Sequence, residues 1–165
     1  MKLGIDINSG ERPFQELLEG VLFSSAKYKD SLFYIIGNAD KVRESFPKID
    51  SITNIRLINA VDVIGMDESP LAAVRRKKNS SVCIGVKLLK EKKIDIFFSP
   101  GNTGATVVAS VLELGLLPGL KKPAMATFLP RQDDNGETLI WMWGQIQKQK
   151  KNIFFTNVKG CVKKI

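Results

Sequence analysis

The chain contains no histidine. That absence removes Ser-His-Asp and Cys-His catalytic systems. With only two cysteines, Cys83 and Cys161, no zinc ligand set is left either. Two cysteines give no framework of disulfide bridges. No apolar run approaches the ~18 residues of a membrane-spanning helix. The N-terminus, Met1-Lys2-Leu3-Gly4-Ile5-Asp6, is too short and too acidic for a signal peptide. The chain is therefore expected in the cytoplasm, with no metal and no cofactor.

Acidic residues are missing altogether from 141–165, and this local absence explains the net charge of +8. That stretch holds six lysines (148, 150, 151, 159, 163 and 164) and both tryptophans. The remaining 19 basic residues face all 17 acidic ones, so residues 1–140 carry only +2. A charge of +8 spread over a face would point to nucleic acid; one confined to a tail does not, and no nucleic-acid partner is expected. At 165 residues the chain is long enough for one domain with a real core.

What is present is an alternation of short apolar runs with amphipathic stretches. Leu3 to Ile7, Leu32 to Ile36, Ile55 to Ile58 and Ile94 to Phe98 read as strands. Between them, Phe14, Leu17, Leu18, Val21 and Leu22 recur at helical spacing after Pro13. Asn38 is placed to cap a short helix through Phe46, and Ser69-Pro70 to start another. Asn79-Ser80-Ser81 interrupts that helix and caps the next, through Lys92. A helix from Thr103 to Gly115 is expected to bury Val107, Val108, Val111 and Leu112, and further strands are expected at Ala124 to Leu129 and from Thr138 onward. Strands alternating with helices imply an α/β fold: an open, mostly parallel sheet with helices on both faces.

Two segments carry candidate chemistry. Ser99-Pro100-Gly101-Asn102-Thr103-Gly104-Ala105 is a polar glycine loop between an apolar strand and an apolar helix. Ligands in open parallel sheets sit beyond the carboxyl ends of the strands. Gly101 and Gly104 permit close backbone approach. Free amides at Thr103 and Gly104 favour an anion, and the side chains of Ser99, Asn102 and Thr103 can donate to phosphate oxygens. The plainer reading is a helix cap that satisfies only its own backbone. The second segment, Ile64-Gly65-Met66-Asp67-Glu68-Ser69-Pro70, runs on to Arg75-Arg76-Lys77-Lys78-Asn79-Ser80-Ser81. Four cations over one helical turn cannot all face one ligand. Arg75 or Arg76 is expected near the site, with the lysines in solvent. Asp67-Glu68-Ser69 either caps the helix or orients those cations.

These two strings, in this order and spacing, resemble the bacterial phosphate acyltransferase family, the fatty acid/phospholipid synthesis proteins. The resemblance covers residues 1–140. It implies a fold akin to isocitrate dehydrogenase and phosphotransacetylase, and formation of acyl phosphate from inorganic phosphate and an acyl thioester of acyl carrier protein. It also implies a homodimer and peripheral membrane association for the full-length form. Asp6, at the end of the first strand, joins Ser99, Gly101, Asn102, Thr103, Gly104, Arg75 and Arg76 as a candidate phosphate or substrate residue. The turn after it, Asn8-Ser9-Gly10-Glu11, departs from the more glycine-rich turn of the family at Ser9 and Glu11. Two rivals remain: a phosphotransacetylase- or dehydrogenase-like α/β protein, against which stands the lack of a Gly-x-Gly-x-x-Gly turn, and a nucleic-acid module, since Gly101 to Gly104 matches a Gly-x-x-Gly loop.

The resemblance fades after Ile140, and the codons explain how. Trp141-Met142-Trp143 can only be TGG ATG TGG, and Gly144 begins GG. Restoring one base before them gives NTG GAT GTG GGG, which permits Val-Asp-Val-Gly, with Ala-Asn allowed next, as the family reads. A one-base deletion between codons 140 and 141 would make 141–165 an out-of-frame basic tail and the chain a truncated, inactive N-terminal part.

Overall fold

The computed structural model describes residues 1–123, 125–130 and 137–142. The chain divides into two compact units, Met1–Leu114 and Gly115–Ile165. The first is an α/β layer structure. Its strands β1 (Lys2–Asp6), β2 (Leu32–Gly37), β3 (Ile55–Asn59) and β4 (Ile96–Phe98) form one all-parallel sheet in the order β3-β2-β1-β4.

Alternation along β2 shows how both faces are filled. Phe33 and Ile35 point to one side, where α1 (Phe14–Lys27) and α2 (Ala39–Ser45) supply Leu18, Val21 and Val42, with Ile49 from a short 3-10 turn. Tyr34 and Ile36 point to the other, against Ile84 and Leu88 of α4 (Ser81–Lys90). A strand buried on both sides reads as a continuous apolar run, as Leu32 to Ile36 does. Beyond α4 lie α3 (Pro70–Arg76) and α5 (Thr103–Leu114), packed through Val74, Val82, Val86, Ala105 and Ala109.

Local signals fixed most boundaries. Asn38 Oδ1 accepts from the amides of Asp40 and Lys41 and caps α2. Ser80 Oγ accepts from Cys83 N and caps α4. Pro70 opens α3, yet the Ser69 side chain makes no cap bond. Ile94 is buried outside the ladder, because Asp95 turns its carboxylate to the Lys2 amide (2.7 Å) and so ties that strand end to β1.

One expectation is corrected. α5 buries Ala105 and Ala109, whereas Val107, Val108 and Val111 are half-buried and Leu112 is exposed. Valines and alanines share the apolar faces of the helix, and packing against α3 and α4 selects its small residues for the inside. The later strands, β5 (Met125–Pro130) and β6 (Glu137–Met142), lie where strands were expected and pair antiparallel with each other in a sheet of their own. Six residues separate them, enough for a hairpin but too few for a parallel crossover. Ala124 and residues 143–165, with Cys161 and most of the basic tail, lie outside the described residues.

Candidate functional site

The sheet order creates a topological switch point. The chain steps from β1 outward to β2 and β3, then crosses to the other side of β1 to lay down β4. The loops after β1 and β4 therefore leave in opposite directions and open a crevice at their carboxyl ends, where open α/β sheets bind ligands.

Asp6 closes the floor of that crevice. It is fully buried; Oδ1 accepts from Asn8 N (2.9 Å) and Ser9 N (3.1 Å), and Oδ2 accepts from Ser99 Oγ (2.8 Å). Ser99 Oγ in turn accepts from Gly101 N (3.3 Å). The hydroxyl proton of Ser99 is thus spent on Asp6, and its side chain ties the two loops together. Above it, Gly101 lies so close to the Cβ of Ser9 that a side chain there would collide. Ser9 Oγ also meets Ser81 Oγ at 3.2 Å, joining the start of α4 to the same knot.

Asn102 links the glycine loop to the segment before α3. Its Nδ2 donates to the carbonyls of Gly65 (3.1 Å), Met66 (3.1 Å) and Glu68 (3.3 Å), while Oδ1 accepts from Ala105 N (3.0 Å) and caps α5. Gly104 faces Pro70, whose Cγ a Cβ would approach to 2.7 Å, so α3 and α5 start side by side. Thr103 is exposed. Among the described residues the amides of Thr103 and Gly104 meet no protein acceptor.

The cations are arranged differently from the sequence expectation. Arg76 pairs with Glu68 (2.9 Å), and Lys77 is half-buried, bonded to Glu68 and to the Val63 carbonyl (2.6 Å). Arg75 and Lys78 are exposed. The hydrogen bond from Lys77, then the Gly65 amide, then the charges of Lys77 and Arg76 hold the Glu68 carboxyl below its ordinary range. The folded value lies below the unfolded one, so this stabilisation is whole above the unfolded glutamate range and is lost as pH falls through the depressed value. The Gly65 amide resonance is expected to stay still while ordinary glutamates titrate and to move only at more acid pH. A Gly65 shift that follows the ordinary glutamates would refute the clamp.

The sequence model of the family described as "Fatty acid synthesis protein" matches residues 1–153. The chain belongs to this family. Over 138 residues it is 38% identical to a phosphate acyltransferase of Brachyspira hyodysenteriae, covering 83% of this chain and 40% of that protein. A phosphate acyltransferase of Caldanaerobacter subterraneus is 36% identical over 163 residues, 98% of this chain and 48% of the relative. One from Levilactobacillus brevis is 36% identical over 130 residues, 79% and 37%. The chain thus spans about half the length, or less, of the curated relatives it matches.

Within this member of the family, the structure brings Asp6, Ser99, Gly101, Asn102 and Gly104 to one place and leaves Arg75 in solvent. Sequence reading passed over Ser9 and Ser81 as partners; of its two readings of Asp67-Glu68-Ser69, Glu68 takes the second and holds Arg76 and the half-buried Lys77. Ser9 had one signal, its departure from a glycine-rich turn. Ser81 is joined to it across 72 positions, which no local pattern records. No helix among the described residues is long and apolar enough to cross a membrane, and they hold no group of three metal-ligating side chains.

Proposed function

We propose that this chain is the N-terminal part of a phosphate acyltransferase, and that inorganic phosphate binds at the switch point against the start of α5. The supporting observation is the pair of amides at Thr103 and Gly104, which meet no acceptor among the described residues and lie at the positive end of a 12-residue helix. Ser99 and Asn102 shape the loop instead of binding the anion, since their donors are engaged elsewhere. The relatives' name supplies the reaction class. A phosphate oxygen attacks the carbonyl carbon of an acyl thioester, and the tetrahedral oxyanion collapses with loss of the thiolate. The thiolate takes the proton that phosphate gives up, leaving acyl phosphate and a free thiol. Phosphate is already anionic near neutral pH, so positioning is the main demand on the protein, together with donors for the oxyanion.

Acyl carrier protein is the proposed acyl donor, its acidic surface attracted by Arg75 and Lys78. A cytoplasmic location, a homodimer and peripheral membrane contact belong to the full-length form. The 165-residue chain is proposed to be inactive, with donors for the oxyanion lying in the part it does not span. The codon argument at Trp141-Met142-Trp143 supports a tail read out of frame from residue 141. A family match reaching residue 153 argues for the present frame. Sequencing the DNA across codons 138–144 decides between them.

Thr103→Glu tests the anion site without harming the fold. A glutamate in the first turn of α5 stabilises the helix through its dipole, yet sets a negative charge beside the proposed phosphate. Calorimetric titration with inorganic phosphate should show affinity falling by about tenfold or more, with an unchanged or raised melting temperature. Unchanged phosphate affinity in this variant sinks the proposal.

A further inference from the structure

An open cavity lies at the end of the sheet opposite the crevice. The crevice sits beyond the carboxyl ends of the strands, whereas α1 runs back from there and ends beside the start of β2. Phe46, after α2, and Ile52, just before β3, reach the same end. With Leu22 of α1 they floor a cavity of about 570 Å³. All three are half-buried and pack on the core cluster that holds Leu18, Val42 and Ile49, so the cavity cuts into the edge of the core itself.

The polar walls of this cavity have little left to give. Ser25 is buried, and its Oγ donates to the Leu22 carbonyl (2.9 Å). Asn54 Nδ2 donates to the carbonyls of Ser25 (3.0 Å) and Ser31 (3.3 Å). What remains is one charge. Lys29, in the turn after α1, is exposed and is the single charged side chain on the lining among the described residues. It enters no ion pair among them. A lysine can lay its stem on apolar surface and keep its ammonium at the rim.

Cavities of this size hold small molecules, and a few polar groups fix the ligand's orientation. We propose that this cavity binds an aliphatic carboxylate of medium chain length, with its chain on Leu22, Phe46 and Ile52 and its carboxylate on the Lys29 ammonium. An apolar floor with one cation at its rim matches an apolar body that ends in one negative charge. A phosphate-bearing ligand asks for several donors, and those of Ser25 and Asn54 are spent. An uncharged lipid would leave Lys29 without a role. The cavity stands apart from the crevice, so the inference goes beyond the acyl-transfer reading and does not depend on it.

The probe is sodium decanoate, kept below its micelle-forming concentration and added to the full 165-residue chain. Amide resonances of residues 22–29, 46 and 52–54 should shift along a saturable, one-to-one curve, and the melting temperature should rise with decanoate. Lys29→Gln should weaken binding by about fivefold. Lys27→Gln, at an exposed cation of α1 that is not on the lining, should leave it unchanged. Ala26→Phe, at an exposed position on the lining, should fill the cavity and weaken binding by about tenfold or more. Decanol, with the same chain and no charge, should bind the unaltered protein and the Lys29→Gln variant equally. Absence of saturable binding overturns the proposal, as do shifts centred elsewhere or a falling melting temperature. Equal losses in Lys27→Gln and Lys29→Gln, or an affinity untouched by Ala26→Phe, would also overturn it, by showing that decanoate coats the surface. Phosphate is left out throughout, so a negative result leaves the anion site at the start of α5 standing.

Discussion

Replacing Asn102 with aspartate is expected to lower the unfolding free energy by about 3 kcal/mol at neutral pH, as read from the urea midpoint. The substitution keeps an oxygen for the Ala105 amide, so the cap of α5 survives. What changes is the other half of the side chain. An amide that donates to the carbonyls of Gly65, Met66 and Glu68 becomes a carboxylate facing three oxygen atoms. Asn102 is only 6% exposed, so water cannot relieve the repulsion. The introduced carboxyl would hold its proton more tightly in the folded state than in the unfolded one. Its folded value therefore sits higher, and the deficit should shrink as pH falls, the opposite sign to the Glu68 clamp. A deficit of the same size at neutral and acid pH would mean that the three carbonyls are not what Asn102 serves.

The second large effect lies in the sheet-facing side of α4. Gly85→Ala should destabilise by about 2 kcal/mol, although alanine in place of glycine ordinarily favours a helix by about 1 kcal/mol. A Cβ at Gly85 would lie 2.1 Å from Cε2 of the Phe97 ring, which two apolar clusters hold in place. Close approach of α4 to β4 is what the missing side chain makes possible. Combining Gly85→Ala with Phe97→Leu should recover part of the loss, because the ring is the obstacle. If the two costs simply add in a double-mutant cycle, the contact is not the cause.

The layer order of the fold was legible wherever the signal was local. Alternation marked the four parallel strands, Asn38 and Ser80 capped their helices as their types predict, and Pro70 opened α3. The reading failed where the answer depended on a neighbour distant in sequence. In α5 the valines and the alanines stand at equivalent helical spacing, and only the closeness of α3 and α4 chooses Ala105 and Ala109 for the inside. The glycine loop was legible as a feature of the candidate crevice, but not the duties of its side chains. Ser99 is spent on a residue 93 positions earlier, and Asn102 on carbonyls 34 to 37 positions earlier. Free donors on paper, they are occupied in space.

The Asp6–Ser99 link also sets an order of events during synthesis. β1 leaves the ribosome first and can pair with β2 after a closure of about thirty residues. Its other edge, and the second oxygen of Asp6, wait until a hydroxyl 93 residues downstream has emerged. The slow, long-range closure is thus the one that shapes the crevice. A nascent chain holding only β1 to β3 has its sheet half built and an uncapped carboxylate at the strand end, and until Ser99 arrives it has no site to offer.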